Sequence, residues 1–210
     1  MHSVPKQLSP RSWQQDLKRA IEDVIETKGQ VILCVTGKSG AGKSTLGKVI
    51  RKKGLPGFPP RKIGVIDDGV LAVPLLGIFT RRIKSKTRER DNLAPFQHFL
   101  SRKKLVVYVN TKPELRLERC DIVLRLQLPE KVRQQRLVHR DKDGEARFRR
   151  TLNASDEVGI PADHVFDLCL DEAHHRAPQP GTQPAFATLT FLANAAPQVM
   201  NWMSCAAESC

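Results

Sequence analysis

The chain has no C-x-x-C pair. Its five cysteines, Cys34, Cys120, Cys169, Cys205 and Cys210, are scattered, which excludes paired zinc-ligand spacing and reads as free thiols in a reducing cytoplasm. No segment reaches the roughly 18 apolar residues a membrane span requires, and Met1–Gln15 is polar and Pro-interrupted, unlike a signal peptide. A soluble protein with no membrane partner is therefore expected. Aromatic residues make up only 5% of the chain, which argues against a single-strand nucleic-acid groove, where bases stack on aromatic platforms. Acidic residues are also short: 22 Asp and Glu face 35 Lys and Arg, a formal charge of +13. That excess points to an anionic partner, whether a phosphorylated metabolite, a nucleic acid or an acidic surface. The 210 residues suffice for one α/β domain with a proper core, not for two.

What is present alternates. A flexible lead of residues 1–12 precedes a helix, where Ser12 and Gln15 form a capping-box pair and Trp13, Leu17, Ile21 and Val24 recur at helical spacing until Gly29. Val31–Thr36 is short, apolar and β-branched, as suits a strand buried on both faces of a parallel sheet. Ser44–Lys52 then reads as a helix, Lys62–Asp68 as a strand, Leu93–Arg102 as a helix, and Lys104–Asn110 and Ile122–Leu128 as strands. Pro129 opens a basic helix to about Arg140, a further helix runs from about Gly144 to Asn153, and His164–Leu170 is the fifth strand. Such alternation predicts a five-stranded parallel sheet with helices on both faces, in a domain spanning 13–171. From 172 to 210 the composition turns to Ala, Pro, Gln and His, with Pro178, Pro180 and Pro184 close together, and a linker with a weakly ordered tail is expected.

Gly37-Lys38-Ser39-Gly40-Ala41-Gly42-Lys43-Ser44-Thr45 fits G-x-x-x-x-G-K-[ST], placed between a buried strand and a helix. The physical reading is a P-loop. Glycines let backbone N–H groups turn inward around phosphates, and the positive end of the following helix reinforces them. Lys43 neutralises the β- and γ-phosphates of ATP or GTP, and the Ser44 hydroxyl is a ligand for the magnesium ion bridging them.

Asp67 and Asp68 close the second strand at the carboxyl edge, where open α/β sheets bind ligands. Such an acid can hold magnesium, the role given to Asp67, or accept a proton from an acceptor hydroxyl. Arg136-Leu-Val-His-Arg140-Asp141, following a strand and a proline, resembles the sequence leading into the lid of uridine kinases, nucleoside monophosphate kinases and dephospho-coenzyme A kinase. The resemblance spans about Val31 to Asp171. It implies a P-loop kinase fold with a small helical lid at about 136–150, in which Arg136, Arg140 and Arg147 face the transferring phosphates. The chain departs from those families in two places. No aromatic residue follows Asp67-Asp68, and the strand ending at Asn110 lacks a terminal acid.

The leading expectation is therefore ATP-dependent phosphoryl transfer to a small nucleoside, nucleotide or other anionic acceptor. Lys43, Asp67, Asp68 and Arg140 would be its catalytic residues. The segment Arg81–Arg90, with six basic residues in ten, lies where such kinases bind the acceptor and would attract phosphate or nucleic acid. A second reading is a regulatory or partition-type ATPase, because Lys38 with the following glycine loop resembles the variant loop of partition ATPases, in which an early lysine reaches across a dimer. Ser39 stands where those loops usually carry glycine, and no D-x-P-G or D-x-x-G switch segment lies in the expected place. A toxin-like P-loop protein acting on a sugar nucleotide or antibiotic shares the same loop.

Overall fold

In the computed structural model the described residues are 4–75, 79–85, 90–91, 93–153 and 159–170. The proline-rich 172–210 segment, with Cys205 and Cys210, lies outside them, as does 86–89 of the basic segment. The elements are β1 (Lys6–Leu8), α1 (Trp13–Lys28), β2 (Val31–Thr36), α2 (Lys43–Lys53), β3 (Ile63–Asp67), β4 (Val70–Leu75), β5 (Phe79–Lys84), α3 (Gln97–Leu100), β6 (Leu105–Val109), β7 (Ile122–Gln127), α4 (Glu130–Arg140), α5 (Gly144–Leu152) and β8 (His164–Cys169).

One eight-stranded sheet runs β1-β8-β7-β2-β6-β3-β4-β5. The first six strands of that order are mutually parallel, while β4 is antiparallel to β3 and β5 antiparallel to β4. The sheet is thus mixed and eight-stranded rather than parallel and five-stranded. Two additions account for the difference. Lys6–Leu8, in the segment expected to be a loose lead, pairs with β8 through the register Leu8↔Leu168 and buries Leu8. On the other edge, Asp68 and Gly69 both hold positive φ, 47° and 75°, between the paired residues Asp67 and Val70. That is the two-residue hairpin turn that Asp-Gly favours, because its twist matches that of the strands.

β2 sits between β7 and β6, where the winding of the sheet reverses. The crevice beyond such a strand end is the natural ligand position in an open α/β sheet. β2 occupies the centre because Val31, Leu33, Cys34 and Val35 are all buried, so it has no polar face to leave in water. On one face Cys34, Ile66, Tyr108 and Val123 pack against Leu93, Phe96, Leu100, Leu117 and Ile160. On the opposite face α2 lies close enough that a side chain at Gly47 would press on Val109 and Val65.

Helix ends follow local chemistry with two exceptions. α1 buries Trp13, Leu17, Ala20, Ile21 and Val24, one stripe at the helical period. It ends at Gly29, whose left-handed φ of 75° lets its N–H bond the Ile25 carbonyl. The expected capping box is not formed: the Ser12 hydroxyl bonds the Asp16 carboxylate at 3.0 Å and caps no backbone N–H. The helix expected over Leu93–Arg102 is shorter. A 3-10 turn at Ala94–Phe96, with Pro95 in it, leads into the four residues of α3.

Candidate functional site

β2 delivers the chain to Gly37, whose φ of 134° belongs to glycine and whose Cβ, if it had one, would lie 2.3 Å from the backbone oxygen of Leu126. No side chain fits between the loop and β7. The loop turns on Gly40 and Gly42, both at positive φ, with the Ala41 N–H bonded to the Lys38 carbonyl at 3.1 Å. It runs straight into α2, whose N-terminus has no side-chain cap and no acid in its first turn. Its free N–H groups and positive dipole end are thus open to an anion.

Lys43 is the centre of the arrangement. It is only 8% exposed, and its ammonium donates to the Gly37 carbonyl at 2.7 Å and the Lys38 carbonyl at 3.0 Å. Burial pulls its pKa down to about 8, opposed by the charges of Asp68 and Asp67 and assisted by those of Arg140 and Arg147. The last pair matters geometrically, because it places Arg140 and Arg147 within electrostatic reach of the loop lysine.

Beside it the Ser44 hydroxyl donates to Oδ1 of Asp67 at 3.1 Å. The carboxyl of Asp67 is held above its ordinary pKa chiefly by burial, with the Ser44 bond working against the rise. Asp68 occupies the first turn position, and its N–H bonds the Val109 carbonyl at 3.1 Å. A hydroxyl and a carboxylate oxygen side by side are the hard donors that magnesium accepts. Among the described residues no cluster of three or more His, Cys, Asp or Glu could hold a metal. One hydroxyl with one carboxylate is a donor set that magnesium uses when substrate phosphates complete its coordination.

The other residues singled out from sequence are distributed unevenly. Arg136 reaches the loop, its Nη1 lying 3.7 Å from where a Gly42 Cβ would be. Arg140 and Arg147 both bind Asp141, at 2.9 and 3.0 Å, and the Asp141 carboxyl is held below its usual range first by the hydrogen bond from Arg140. With Arg150 and Thr151 they line an open cleft of about 690 Å³. Lys38 is directed into its own chain, towards the Leu152 carbonyl at 3.4 Å and the Glu130 carboxylate at 3.8 Å. Ala41 is buried, Ser39 approaches α4 through its carbonyl, and the Thr45 residue is exposed on α2.

Two residues were given no role in the sequence reading. Asp141, quoted there only as the end of a motif, is the anion that holds Arg140 and Arg147. Arg133 lies 1% exposed beneath the loop, and nothing in a basic helix of similar letters marks which arginine faces inward; only the helical spacing from Leu137 hints at it.

No helix among the described residues is long and apolar enough to cross a membrane. No family model matches the chain, and no curated protein matches it. Among solved structures, a Silicibacter sp. TM1040 protein provisionally named a fructose transport system kinase superposes with a TM-score of 0.44 at 14% identity, over 77% of this chain and 98% of that one. A likeness of that size carries no argument about activity, which rests on the residues themselves.

Proposed function

We propose that this chain is a P-loop phosphotransferase that moves the γ-phosphoryl group of ATP to a small anionic acceptor. The observation that carries the reading is the Lys43 ammonium, buried and parked on the loop's own carbonyls at 2.7 and 3.0 Å. A buried lysine is costly, and here it opens an uncapped helix after a loop turned on Gly37, Gly40 and Gly42, all at positive φ. That arrangement is worth its cost if the ammonium exchanges carbonyl oxygens for phosphate oxygens.

Each residue then has a task. Backbone N–H groups of the loop and the α2 terminus hold the β-phosphate, and Lys43 spans the β- and γ-phosphates, stabilising charge that grows as the bond to the leaving oxygen lengthens. Ser44 and Asp67 are the residues that would hold magnesium, which, when bound, screens phosphate charge. Asp68, next to Asp67 at the end of β3, accepts the proton of the acceptor hydroxyl. Arg136, Arg140 and Arg147 supply guanidinium forks to the phosphate oxygens as α4 and α5 close over them, excluding water that would otherwise take the phosphoryl group.

The partition-type alternative draws on Lys38, and the intramolecular contacts of that side chain to Leu152 and Glu130 disfavour a reach across a dimer. The test is a screen of magnesium-ATP consumption against nucleosides, nucleotides, sugars and coenzyme precursors, with GTP run in parallel. An acceptor-dependent rate that falls by about 10²-fold or more in Asp67→Asn/Asp68→Asn, with ATP affinity nearly retained, is the expected outcome. Turnover stimulated only by DNA or by a protein partner would overturn the reading.

A further inference from the structure

Arg133 presents a physical anomaly. It is 1% exposed, its guanidinium lies 4.7 Å from the centre of the Phe148 ring, and only Nη1 is bonded, donating to the Thr151 hydroxyl at 2.7 Å and, at long range, to the Ser39 carbonyl at 3.5 Å. Nε and Nη2 have no hydrogen-bond partner. The Glu130 carboxylate pairs with Nη2 at 3.8 Å, too far for a hydrogen bond.

A buried guanidinium with two orphaned donors is a poor way to hold two helices together, because an apolar side chain of that volume would do so without desolvation. Its position explains it better. Thr151 and Phe148 belong to α5, Arg133 to α4, and Ser39 to the glycine loop. The loop packs directly on the same side chain, since a Cβ at Gly40 would meet Arg133 Cγ at 3.1 Å. Lys38 makes a second, parallel connection from the loop to the end of α5 at Leu152.

We propose that Arg133 is the positioning residue through which the lid helices set the shape of the glycine loop. One fork arm is anchored in α5. The aliphatic stem lies against Gly40, Nη1 also reaches the Ser39 carbonyl, and Nη2 stands within a small movement of a hydrogen bond to Glu130. Closure of α5 pulls the fork and the loop together, so that the backbone N–H groups and the lid arginines arrive in register. The tie itself needs no ligand, whereas its consequence for nucleotide grip rests on the phosphotransferase reading.

The test uses the full chain and two readouts. The first is amide hydrogen exchange at Ala41, whose N–H is bonded within the loop, compared with amides in α5 and in β6. In Arg133→Met the Ala41 and α5 amides should exchange at least about tenfold faster while β6 is unchanged. Arg133→Lys keeps a charge that reaches Thr151 but loses the fork, and should release Ala41 while α5 stays protected. Ala41 exchange within about twofold of the parent in folded Arg133→Met overturns the proposal. If that variant does not fold, Thr151→Val decides by the same criterion, since it removes the anchor of Nη1. The second readout is the magnesium-ATP dissociation constant, expected to rise about tenfold in Arg133→Met. An unchanged constant overturns the role in nucleotide grip. Faster exchange in a chain whose parent binds no ATP upholds the tie and removes the phosphotransferase reading instead.

Discussion

At the scale of single residues, Lys43 sets how the site responds to pH. With its pKa near 8, the ammonium is already partly neutral in mild alkali, while a phosphate beside it would restore the charged form. Binding therefore takes up a proton, and affinity is full below about pH 8 and declines as pH rises through the free-state value, by up to about tenfold per unit. Calorimetry at about pH 7 and about pH 9, in buffers of different ionisation enthalpy, should show weaker binding and proton uptake at the higher pH. Equal affinities would place Lys43 outside the anion site. The same shift has a sign for stability. Because the pKa is lowered from 10.5 to about 8, the folded chain binds fewer protons than the unfolded one in that window. The penalty of burying Lys43 is thus largest below pH 8 and fades as pH climbs towards 10.5.

Among structural elements, α4 and α5 approach closely at Gly144. A Cβ on Gly144 would lie 2.2 Å from the Leu137 backbone oxygen, so Gly144→Ala cannot be absorbed by a rotamer change. The two helices must part, and with them the pairing of Gln134 with Glu145 at 3.0 Å. We expect a loss of about 2 kcal/mol or more in urea unfolding, together with weakened nucleotide binding if the lid arginines depend on that packing. Full stability in Gly144→Ala would contradict the geometry. Elements of this kind were legible in the sequence to different degrees, for identifiable reasons. β2, the glycine loop and α2 could be read because an unbroken β-branched run stops at glycines, and α4 because Pro129 marks its start. The β3–β4 turn and the strands after it could not, although Asp68-Gly69 is a strong turn signal. Pro74 makes β4 look like a loop; it lies beyond the two residue pairs that join β4 to β3 and opposite Thr80 of β5. β1 has one buried side chain in three residues, too little pattern to show a strand whose existence depends on β8. The side-chain pairings of the site, Ser44 with Asp67 and Asp141 with two arginines, follow from sheet and helix positions that letters alone do not fix.

Across the whole molecule, chemistry and cohesion occupy opposite edges of the sheet. The glycine loop, Asp67 and Asp68 lie at the carboxyl ends of the parallel strands. Lys28, Asp121 and Asp163 lie where β2, β7 and β8 begin, with Lys28 bonded to both acids at 2.6 Å and Asp121 also accepting the Ile32 N–H at 2.7 Å. The Lys28 pKa is raised, first by its bond to Asp121, so its contribution is present below 10.5 and is lost as pH rises through the folded value. Asp163 is lowered, first by Lys28, so its contribution is present above 3.8 and is lost as pH falls through the folded value. Lys28→Met leaves Asp121 buried without its cation. After discounting for the solvent exposure of Lys28, it should cost about 1–2 kcal/mol near neutrality, with no change in nucleotide affinity, as a paired unfolding and binding measurement would show. A large loss of binding would mean that the two edges are coupled.

The central claim is that the loop between β2 and α2 closes around a polyphosphate with Lys43 as its cation. Isothermal titration of magnesium-ATP into the full chain and into Lys43→Ala tests this most directly. Saturable one-to-one binding in the parent, weakened by about 10²-fold or more in Lys43→Ala while unfolding remains cooperative, is the predicted result. No heat of binding in the parent, or equal affinity in the two proteins, would contradict it.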